Sequence, residues 1–346
     1  MPDSNVLGRF VWHDLMTTDT HSAGAFYAKI AGWTTQPSPY DPSFTTFMSG
    51  GLVVAGLMDL PEQAQRMGTP PNWLTYVATP DVDATVQKAT ALGGRVLSLA
   101  KDDPDVARFA VLQDPQGGVF GVMTLSTHFP VTDAVPPVGD FSWHELATTD
   151  SVGAWTFYSQ LFGWKATDSM DMGPTGAYQM FGPTARSVGG MYTKPKEMPG
   201  PVAWLPYIKA KDSRNVATRV PGLGGKIVNG PMEVPGGDWI VVGMDPQGAV
   251  FATVSAPLAV AVRMPAAPPR KAGAVKKAAS KASKPARKVR RAKSRKTARP
   301  AAGKAAKKTA PARKKAMKKS ARSTGRRRAP AKGRTRKASK KSARKR

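Results

Sequence analysis

Apolar and polar positions alternate between strand and helix spacing in a fixed order along the chain. Phe10 to Thr17 mixes apolar and polar residues over the length of a strand, and Thr18-Asp19 supplies an N-cap for a following helix. Apolar residues then recur at helical spacing, and they are Ala23, Phe26, Tyr27 and Ile30. Gly32 ends this helix, and Trp33 opens the next strand. The pattern predicts a strand followed by a helix, with short strands after it near Thr45–Met48 and Leu52–Met58.

The same order begins again after the Pro-rich link at Thr69-Pro70-Pro71. Trp73–Ala78 is a further strand, and Thr79-Pro80-Asp81 caps a helix that Gly93-Gly94 ends. The remaining predicted strands are Arg95–Leu99, Arg108–Gln113 and Val119–Leu125. The first 126 residues therefore contain two strand-helix-strand-strand-strand modules.

The chain contains this arrangement twice, 131 residues apart. The clearest repeated motif is Trp12-His13-Asp14-Leu15, which returns as Trp143-His144-Glu145-Leu146. The same shift relates Phe26-Tyr27 to Phe157-Tyr158, Gly32-Trp33 to Gly163-Trp164, Trp73 to Trp204, Gly93-Gly94 to Gly224-Gly225, and Asp114-Pro115-Gln116-Gly117 to Asp245-Pro246-Gln247-Gly248. Between about residues 48 and 72 the shift drifts by two or three residues. A unit of roughly 120 residues is a domain and is far longer than a solenoid repeat.

We therefore expect two domains at 8–126 and 140–256, joined by a linker at 127–139. A Pro-rich linker at 257–269 follows, and 270–346 is a Lys/Arg/Ala-rich tail that we expect to be disordered. The first 260 residues carry enough Val, Leu, Phe and Trp to build two independent cores. The chain has no Cys, which excludes disulfides and thiolate ligands.

Paired modules with these motifs resemble the vicinal oxygen chelate superfamily, which includes glyoxalase I, extradiol dioxygenases and bleomycin-resistance proteins. The residues that carry the resemblance are Trp-His-Asp/Glu-Leu, Thr-x-Asp, Phe-Tyr, Gly-Trp and the closing Asp-Pro-Gln-Gly-x-Val-Phe. It covers about residues 8–256 and is most similar to two-domain glyoxalase-like proteins. It implies an α+β fold of two tandem domains, in each of which two βαβββ modules form an open barrel-like cup. Two fused copies would mimic a family dimer, so we expect a monomer.

In that superfamily the cup holds a divalent metal through His, Gln or Glu on four strands. The family pattern places the first-strand ligand at Trp12 and Trp143, the fifth-strand ligand at Leu74 and Leu205, and the last at Gly121 and Ala252. The fourth-strand position falls within 53–58 or 188–192, where no carboxylate occurs. None of these side chains is a metal ligand. We therefore predict no metal and no cofactor.

His13 and His144 offer an alternative, since each lies one residue from a lost ligand position. Neighbouring residues on a strand point to opposite faces, so His13 should point to the helices if Trp12 and Asp14 line the cup. A one-residue slip in register would reverse this. The spacing to Thr18-Asp19 and Phe26-Tyr27 fits the family without such a slip.

Without a metal, each cup would be an aromatic pocket with one buried carboxylate. The candidate ligand-binding residues are Trp12, Asp14, Trp73, Tyr76, Phe109, Trp143, Glu145, Trp204 and Tyr207, and Phe120 and Phe251 are further candidates for the cup lining. Asp14 and Glu145 are the candidate acid-base residues, because burial among aromatic side chains raises the pKa of a carboxyl group. The alternative is that the aromatic residues only fill the core.

The charge of the chain is distributed unevenly. Of the 52 Lys and Arg residues, 35 lie in 270–346 together with none of the 23 Asp and Glu residues, which leaves 17 basic against 23 acidic residues before it. This segment also lacks Trp, Tyr and Phe, and it resembles the basic C-terminal arms of linker histones. Such a composition predicts sequence-nonspecific binding to DNA, or to RNA, by phosphate neutralisation. The candidate contact residues are Lys276, Lys277, Arg290, Arg291, Lys307, Lys308, Lys314, Lys315, Arg326, Arg327, Arg328, Arg344, Lys345 and Arg346.

Three functions remain open. The first is a metal-free protein that binds an unknown small molecule in its cups and is tethered to DNA by the tail, with bleomycin-resistance-type sequestration as the nearest family analogue. The second is a glyoxalase- or dioxygenase-type enzyme. The third is a nucleoid architectural protein with inert cups. The N-terminus shows no secretory signal and no apolar run reaches the roughly 20 residues of a membrane span, so we expect a cytoplasmic, nucleoid-associated protein, or a nuclear one in a eukaryote.

Overall fold

Each half of the chain forms one eight-stranded mixed sheet, in a computed structural model that describes residues 6–38, 41, 44–103, 106–126 and 134–257. The elements of the first half are β1 (Phe10–Thr17), α1 (Thr20–Ile30), β2 (Thr34–Pro37), β3 (Thr45–Ser49), β4 (Leu52–Asp59), α2 (Glu62–Arg66), β5 (Asn72–Ala78), α3 (Val82–Ala91), β6 (Arg95–Asp103), β7 (Ala107–Gln113) and β8 (Val119–Leu125). Apart from the short helix α2, this is the predicted succession of two βαβββ modules.

The second half repeats the order. Its elements are β9 (Phe141–Thr148), α4 (Ser151–Phe162), β10 (Lys165–Asp171), β11 (Ala177–Gly182), β12 (Gly189–Thr193), β13 (Ala203–Lys209), α5 (Ser213–Arg219), β14 (Lys226–Glu233), β15 (Trp239–Met244) and β16 (Val250–Ser255). The strand orders are β2-β3-β4-β1-β5-β8-β7-β6 and β10-β11-β12-β9-β13-β16-β15-β14. The first strands of the two modules, β1 with β5 and β9 with β13, pair antiparallel at the centre of each sheet. The predicted α+β class with tandem domains is confirmed.

Aspartate side chains start the four main helices. Asp19, Asp81, Asp150 and Asp212 have extended backbones, and each accepts a backbone N–H from the first turn of its helix. This geometry satisfies a donor that the helix itself leaves without a partner. Gly163 ends α4 in the left-handed conformation, with φ of 69°, which a residue with a Cβ adopts at a cost.

The two largest apolar clusters each draw on both halves of the chain. One joins α1 and the first module to β13, α5 and β16 of the second half, with Phe26 and Trp33 packed near Phe251 and Phe141. The other joins the second module of the first half to α4 and its neighbours, where Phe120 packs on Phe157. The expectation of two independent cores is therefore wrong, because side chains of α1 and α4 pack against the other half as well as against their own sheets. We call this interface between the halves the seam.

Buried hydrogen bonds cross the seam in matched pairs. The Tyr27 hydroxyl donates to Asp245 Oδ2 at 3.3 Å and accepts from Trp73 Nε1 at 3.0 Å. In the equivalent set, Tyr158 donates to Asp114 at 2.9 Å and accepts from Trp204 at 2.9 Å. The Trp33 and Trp164 indoles donate to the carbonyl oxygens of Gly139 and Gly8, both at 2.7 Å. The repeated Phe-Tyr, Gly-Trp and Asp-Pro-Gln-Gly motifs thus contribute to the seam.

The two repeated histidines meet at the seam. His13 Nε2 and His144 Nε2 lie 2.9 Å apart, and both side chains are buried. Phe141 stacks on the His13 ring at 3.8 Å, and Phe10 stacks on His144 at 3.6 Å between ring centroids. Burial lowers the pKa of both histidines, that of His144 to about 3, so the pair is held neutral. One ring then donates and the other accepts.

The described residues contain no helix with the length and apolar character needed to span a membrane. The predicted tail at 270–346, most of the linker at 127–139 and most of the linker at 257–269 lie outside the described residues.

Candidate functional site

Strand β1 presents its two faces to different environments. Trp12 pairs with Tyr76 on β5, and Asp14 pairs with Leu74 on β5 and with Gly56 on β4. Paired residues on neighbouring strands project to the same face of a sheet. These side chains therefore lie together on the face that we call the first cup, while His13 faces the seam.

Asp14 lies against the indole of Trp12 in the first cup. Trp12 Nε1 donates to Asp14 Oδ1 at 2.7 Å, and the aspartate is 7% exposed. Burial raises the pKa of Asp14 to about 6, although the hydrogen bonds from Trp12 and Tyr76 act in the opposite direction. A Cβ on Gly56 would lie 2.2 Å from Asp14 Oδ1, so the glycine makes room for the carboxylate. Asp14 can exchange a proton near neutral pH.

Apolar side chains pack together in the first cup. The cluster consists of Leu74, Tyr76, Ala107 and Met123, with Trp12, Met16, Val106, Phe109, Val111, Val119 and Leu125 packed against it. Phe109 lies 6.1 Å from the Tyr76 ring, and Lys101 Nζ lies 5.3 Å above the Phe109 ring. Trp12, Tyr76 and Phe109 thus lie in the first cup, where they belong to one apolar cluster.

Glu145 is the centre of the equivalent face in the second half, which we call the second cup. The Tyr178 hydroxyl donates to Glu145 Oε2 at 3.0 Å, and the Tyr207 hydroxyl donates to Oε1 at 3.1 Å. Trp143 Nε1 donates to the Tyr178 hydroxyl at 2.9 Å. Both carboxylate oxygens are therefore held by phenols, and the indole acts through one of these phenols.

The pKa of Glu145 is raised, because burial in the second cup outweighs the hydrogen bonds to its carboxylate. Burial raises the pKa of Glu145, while the hydrogen bonds from Tyr178 and Tyr207 lower it. Burial and the nearby Glu145 charge raise the pKa of Tyr192 to about 12, so this phenol stays neutral. The Tyr178 and Tyr192 rings stack at 5.9 Å. Glu145 is half-buried, and each of its carboxylate oxygens accepts a hydrogen bond from a phenol.

Three of the substitutions between the two cups add a hydroxyl group or remove a methionine side chain. Phe44, beside Asp14 at the Gly56 position, corresponds to Tyr178, which occupies the same place at Gly190. Met16 pairs with Met58 in the first cup, whereas Ala147 pairs with Tyr192 in the second. The second cup has thus gained two hydroxyl groups and lost the bulk of one methionine.

Sequence reasoning missed Phe44, Tyr178 and Tyr192. A shift of 134 residues, and not 131, relates Phe44 to Tyr178, Phe47 to Phe181 and Gly56 to Gly190. The signal that would have identified them is this local change of register, which places Gly190 opposite Glu145 as Gly56 lies opposite Asp14.

The donors in the cups do not fit a divalent metal. A metal site needs three or four converging nitrogen, oxygen or sulfur ligands. Among the described residues, no three His, Asp or Glu side chains come together. At the last expected ligand position, a Cβ on Gly121 would lie 2.1 Å from the Tyr76 ring, so this ring fills the space where a ligand side chain would begin. His13 and His144 contact each other on the seam side.

Four aromatic residues that we expected in the cups lie elsewhere. Trp73 and Trp204 pair with Leu15 and Leu146, one residue beyond the cup-facing positions, and their indoles are buried in the seam. Phe251 and Phe120 are also seam residues. The reason is the alternation of the strands, since Leu74 and Leu205 take the cup face. The predicted nucleic-acid contacts, from Lys276 to Arg346, lie outside the described residues.

Comparison with known proteins gives a family match in the first half and similar proteins that extend over both halves. The family described as Glyoxalase-like domain matches residues 11–123. The protein described as "Putative glyoxylase CFP32" from Mycobacterium tuberculosis (strain CDC 1551 / Oshkosh) is 32% identical over 247 residues, which are 70% of this chain and 93% of that protein. The anthracycline biosynthesis protein DnrV from Streptomyces peucetius is 32% identical over 125 residues, 32% of this chain and 45% of DnrV.

Solved structures with the same fold include two enzymes of distant sequence. The Mn(II)-bound glyoxalase from Novosphingobium aromaticivorans has a TM-score of 0.50 and 18% identity, covering 72% of this chain and 82% of that one. The 2,3-dioxygenase LapB from Pseudomonas sp. KL28 has a TM-score of 0.51 and 9% identity, covering 73% of this chain and 94% of LapB. At these identities the similarity concerns the fold.

Proposed function

Because the chain belongs to the glyoxalase-like family, we propose that it is a small-molecule-binding protein whose second cup takes its ligand without a metal ion. The observation that carries the proposal is the arrangement around Glu145, where Tyr178 and Tyr207 hold a half-buried carboxylate. A few directed polar groups among aromatic side chains are typical of small-molecule sites. The first cup, filled by its own side chains, has a structural role.

The identity of the donors supports a metal-free site. Each cup contributes one carboxylate, and the side chains beside it are indole, phenol and alkyl groups. Manganese, iron and zinc sites in proteins need several carboxylate or imidazole ligands. The described residues supply one such group per cup, so binding has to come from the aromatic surface and the carboxylate.

Two measurements on the purified full-length protein test this proposal. Elemental analysis after dialysis against Mn²⁺, Zn²⁺ or Fe²⁺ should give far less than one metal per chain. A screen of small aromatic and cationic molecules should find ligands whose affinity depends on Glu145 or Tyr207 and is unchanged by EDTA. Stoichiometric metal together with turnover of methylglyoxal and glutathione would contradict the proposal.

A second candidate is an enzyme of glyoxalase or dioxygenase type. Asp14 favours it, because a carboxyl group with a pKa of about 6 can donate and accept protons near neutral pH. Relatives described as glyoxylases also favour it. In that case turnover in a methylglyoxal–glutathione or catechol assay should be lost in Asp14→Asn or Glu145→Gln.

We further propose that the basic segment 270–346 tethers the protein to DNA, with RNA as the second choice. The support is compositional, namely 35 basic and no acidic residues in 77. If about eight of these charges engage phosphates, affinity should fall by roughly three to five orders of magnitude between low and moderately high salt. Gel retardation by the full chain and by residues 1–269 tests this, and undiminished binding by the shorter chain would contradict it.

A third candidate is a nucleoid architectural protein with inert cups. It becomes the better-supported function if the full chain compacts DNA and no ligand is found.

A further inference from the structure

We propose that the second cup selects an organic cation, an ammonium group that lies against Glu145 among the rings of Trp143, Tyr178, Tyr192 and Tyr207. This inference rests on the proposed function, since it names the ligand class of the same site. The observation behind it is the combination of one half-buried carboxylate with four aromatic side chains and no ion pair to Glu145 among the described residues.

The charge of Glu145 has no partner of opposite sign among the described residues. The ion pairs there involve Arg66 with Glu62, Arg108 with Asp83 and Asp102, and Arg214 with Asp212. Around Glu145 the polar contacts come from neutral phenols, which orient the carboxylate but leave its charge uncompensated. An ammonium group from a ligand would provide the missing countercharge.

The aromatic residues suit the same ligand. Tyr178 and Tyr192 stack at 5.9 Å, and burial together with the Glu145 charge keeps both phenols neutral. Neutral aromatic rings attract a cation through their electron-rich faces, and such rings around a carboxylate favour a methylated or protonated amine over an anion. A ligand carboxylate in this cup would face Glu145 directly.

The first cup provides a control within the same molecule. Asp14 is also buried next to an indole, but Phe44 replaces Tyr178, and Met16 and Met58 replace Ala147 and Tyr192. The first cup therefore has a carboxylate and aromatic rings of its own, but it carries Met58 where the second cup has Tyr192 and Met16 where the second cup has Ala147. Cation binding should depend on Glu145 and not on Asp14.

Isothermal titration calorimetry on the full-length chain tests the inference with four probes. Choline and benzyltrimethylammonium are the cations, 3,3-dimethylbutan-1-ol is the neutral isostere of choline, and benzoate is the anion. We expect at least one of the two cations to bind with 1:1 stoichiometry, choline to bind at least tenfold more tightly than its isostere, and benzoate not to bind. Glu145→Gln should weaken cation binding at least tenfold, and Asp14→Asn should leave it unchanged. Circular dichroism and thermal unfolding of each variant verify folding.

The outcomes separate this inference from the proposed function. If neutral or anionic molecules from the screen bind the second cup and neither cation does so at 10 mM, the cup is a binding site and the cation inference is wrong. Equal cation affinity in the wild type and Glu145→Gln would also overturn it. Should Glu145→Gln fail to fold, Ala147→Met, which introduces the bulk of the first cup, should abolish cation binding; retained binding in that variant would overturn the inference.

Discussion

The seam and the cups differ in how far the two halves of the chain still match. Every main seam contact occurs twice with the 131-residue shift, from the Tyr-Trp-Asp hydrogen bonds to the two phenylalanines that stack on the histidine pair. In the cups, by contrast, Asp14 accepts hydrogen bonds from the Trp12 indole and the Tyr76 phenol, whereas Glu145 accepts them from the phenols of Tyr178 and Tyr207. The contacts that join the halves are thus symmetric, and the hydrogen bonds inside the cups are not.

The largest effects should come from the seam, and they should be equal in the two halves. Trp73→Ala and Trp204→Ala each remove a buried indole that donates to a seam tyrosine. We expect each to lower the free energy of unfolding by about 3–5 kcal/mol. Denaturant unfolding measures this, with the exposed Leu99→Ala as a control that changes stability by less than about 1 kcal/mol. A difference above about 2 kcal/mol between the two tryptophan variants would show that the seam is not symmetric.

The histidine pair should make the seam sensitive to acid. The pKa of His144 falls from 6.5 to about 3 on folding, so the stability of the neutral pair is complete above pH 6.5 and is lost as the pH falls towards 3. By pH 4 this loss reaches about 3 kcal/mol. In His144→Gln the side chain at this position cannot be protonated. The difference in free energy of unfolding between the wild type and this variant should therefore shrink by about the same amount between pH 7.5 and pH 4. A pH-independent difference in unfolding free energy would show that His144 is not held neutral.

The cup carboxylates should respond unequally to neutralisation. Folding raises the pKa of Asp14 to about 6, so its contribution to stability is complete below pH 3.8 and is lost as the pH rises through 6. Asp14→Asn should therefore stabilise the protein at pH 8 by up to about 3 kcal/mol and lose this advantage below pH 4. Glu145→Gln should gain less, because Glu145 is more exposed and two hydroxyls stabilise its charge. Chemical denaturation at both pH values checks this, and an equal gain would mean that the cups are electrostatically alike.

Sequence reasoning succeeded where the repeat kept one register. Residue spacing gave the strands, the capped helices and the position of Asp14 and Glu145 on the face opposite His13 and His144. It could not show that His13 and His144 contact each other, because a residue 131 positions away becomes a neighbour only when the halves pack. The placement of Trp73 and Trp204 was wrong for the same reason, since a buried aromatic residue fits a cup or a seam equally well until the partner surface is known.

The hydrogen-bonding residues of the second cup were harder to predict from the sequence, because their positions in the repeat depend on loop lengths. Tyr178 and Tyr192 lie in the part of the repeat where the shift changes to 134, so comparison at 131 pairs Tyr178 with Phe47, a seam residue, and not with Phe44. Only the pairing of Gly56 with Asp14 and of Gly190 with Glu145 identifies the matching positions.

The smallest expected effect tests that correspondence directly. Phe44→Tyr places a hydroxyl beside Asp14, since Phe44 Cζ and Asp14 Oδ1 both lie within 2.4 Å of the point that a Cβ on Gly56 would occupy. The new hydroxyl should donate to the carboxylate as Tyr178 donates to Glu145, and it should lower the pKa of Asp14 by about 1 unit, equivalent to about 1.4 kcal/mol. Titration of the Asp14 carboxyl carbon by NMR measures the shift, and Tyr178→Phe should raise the pKa of Glu145 in the same experiment. Unchanged values in both variants would mean that these two rings are not equivalent, and the difference between the cups would then have to come from Ala147 and Tyr192.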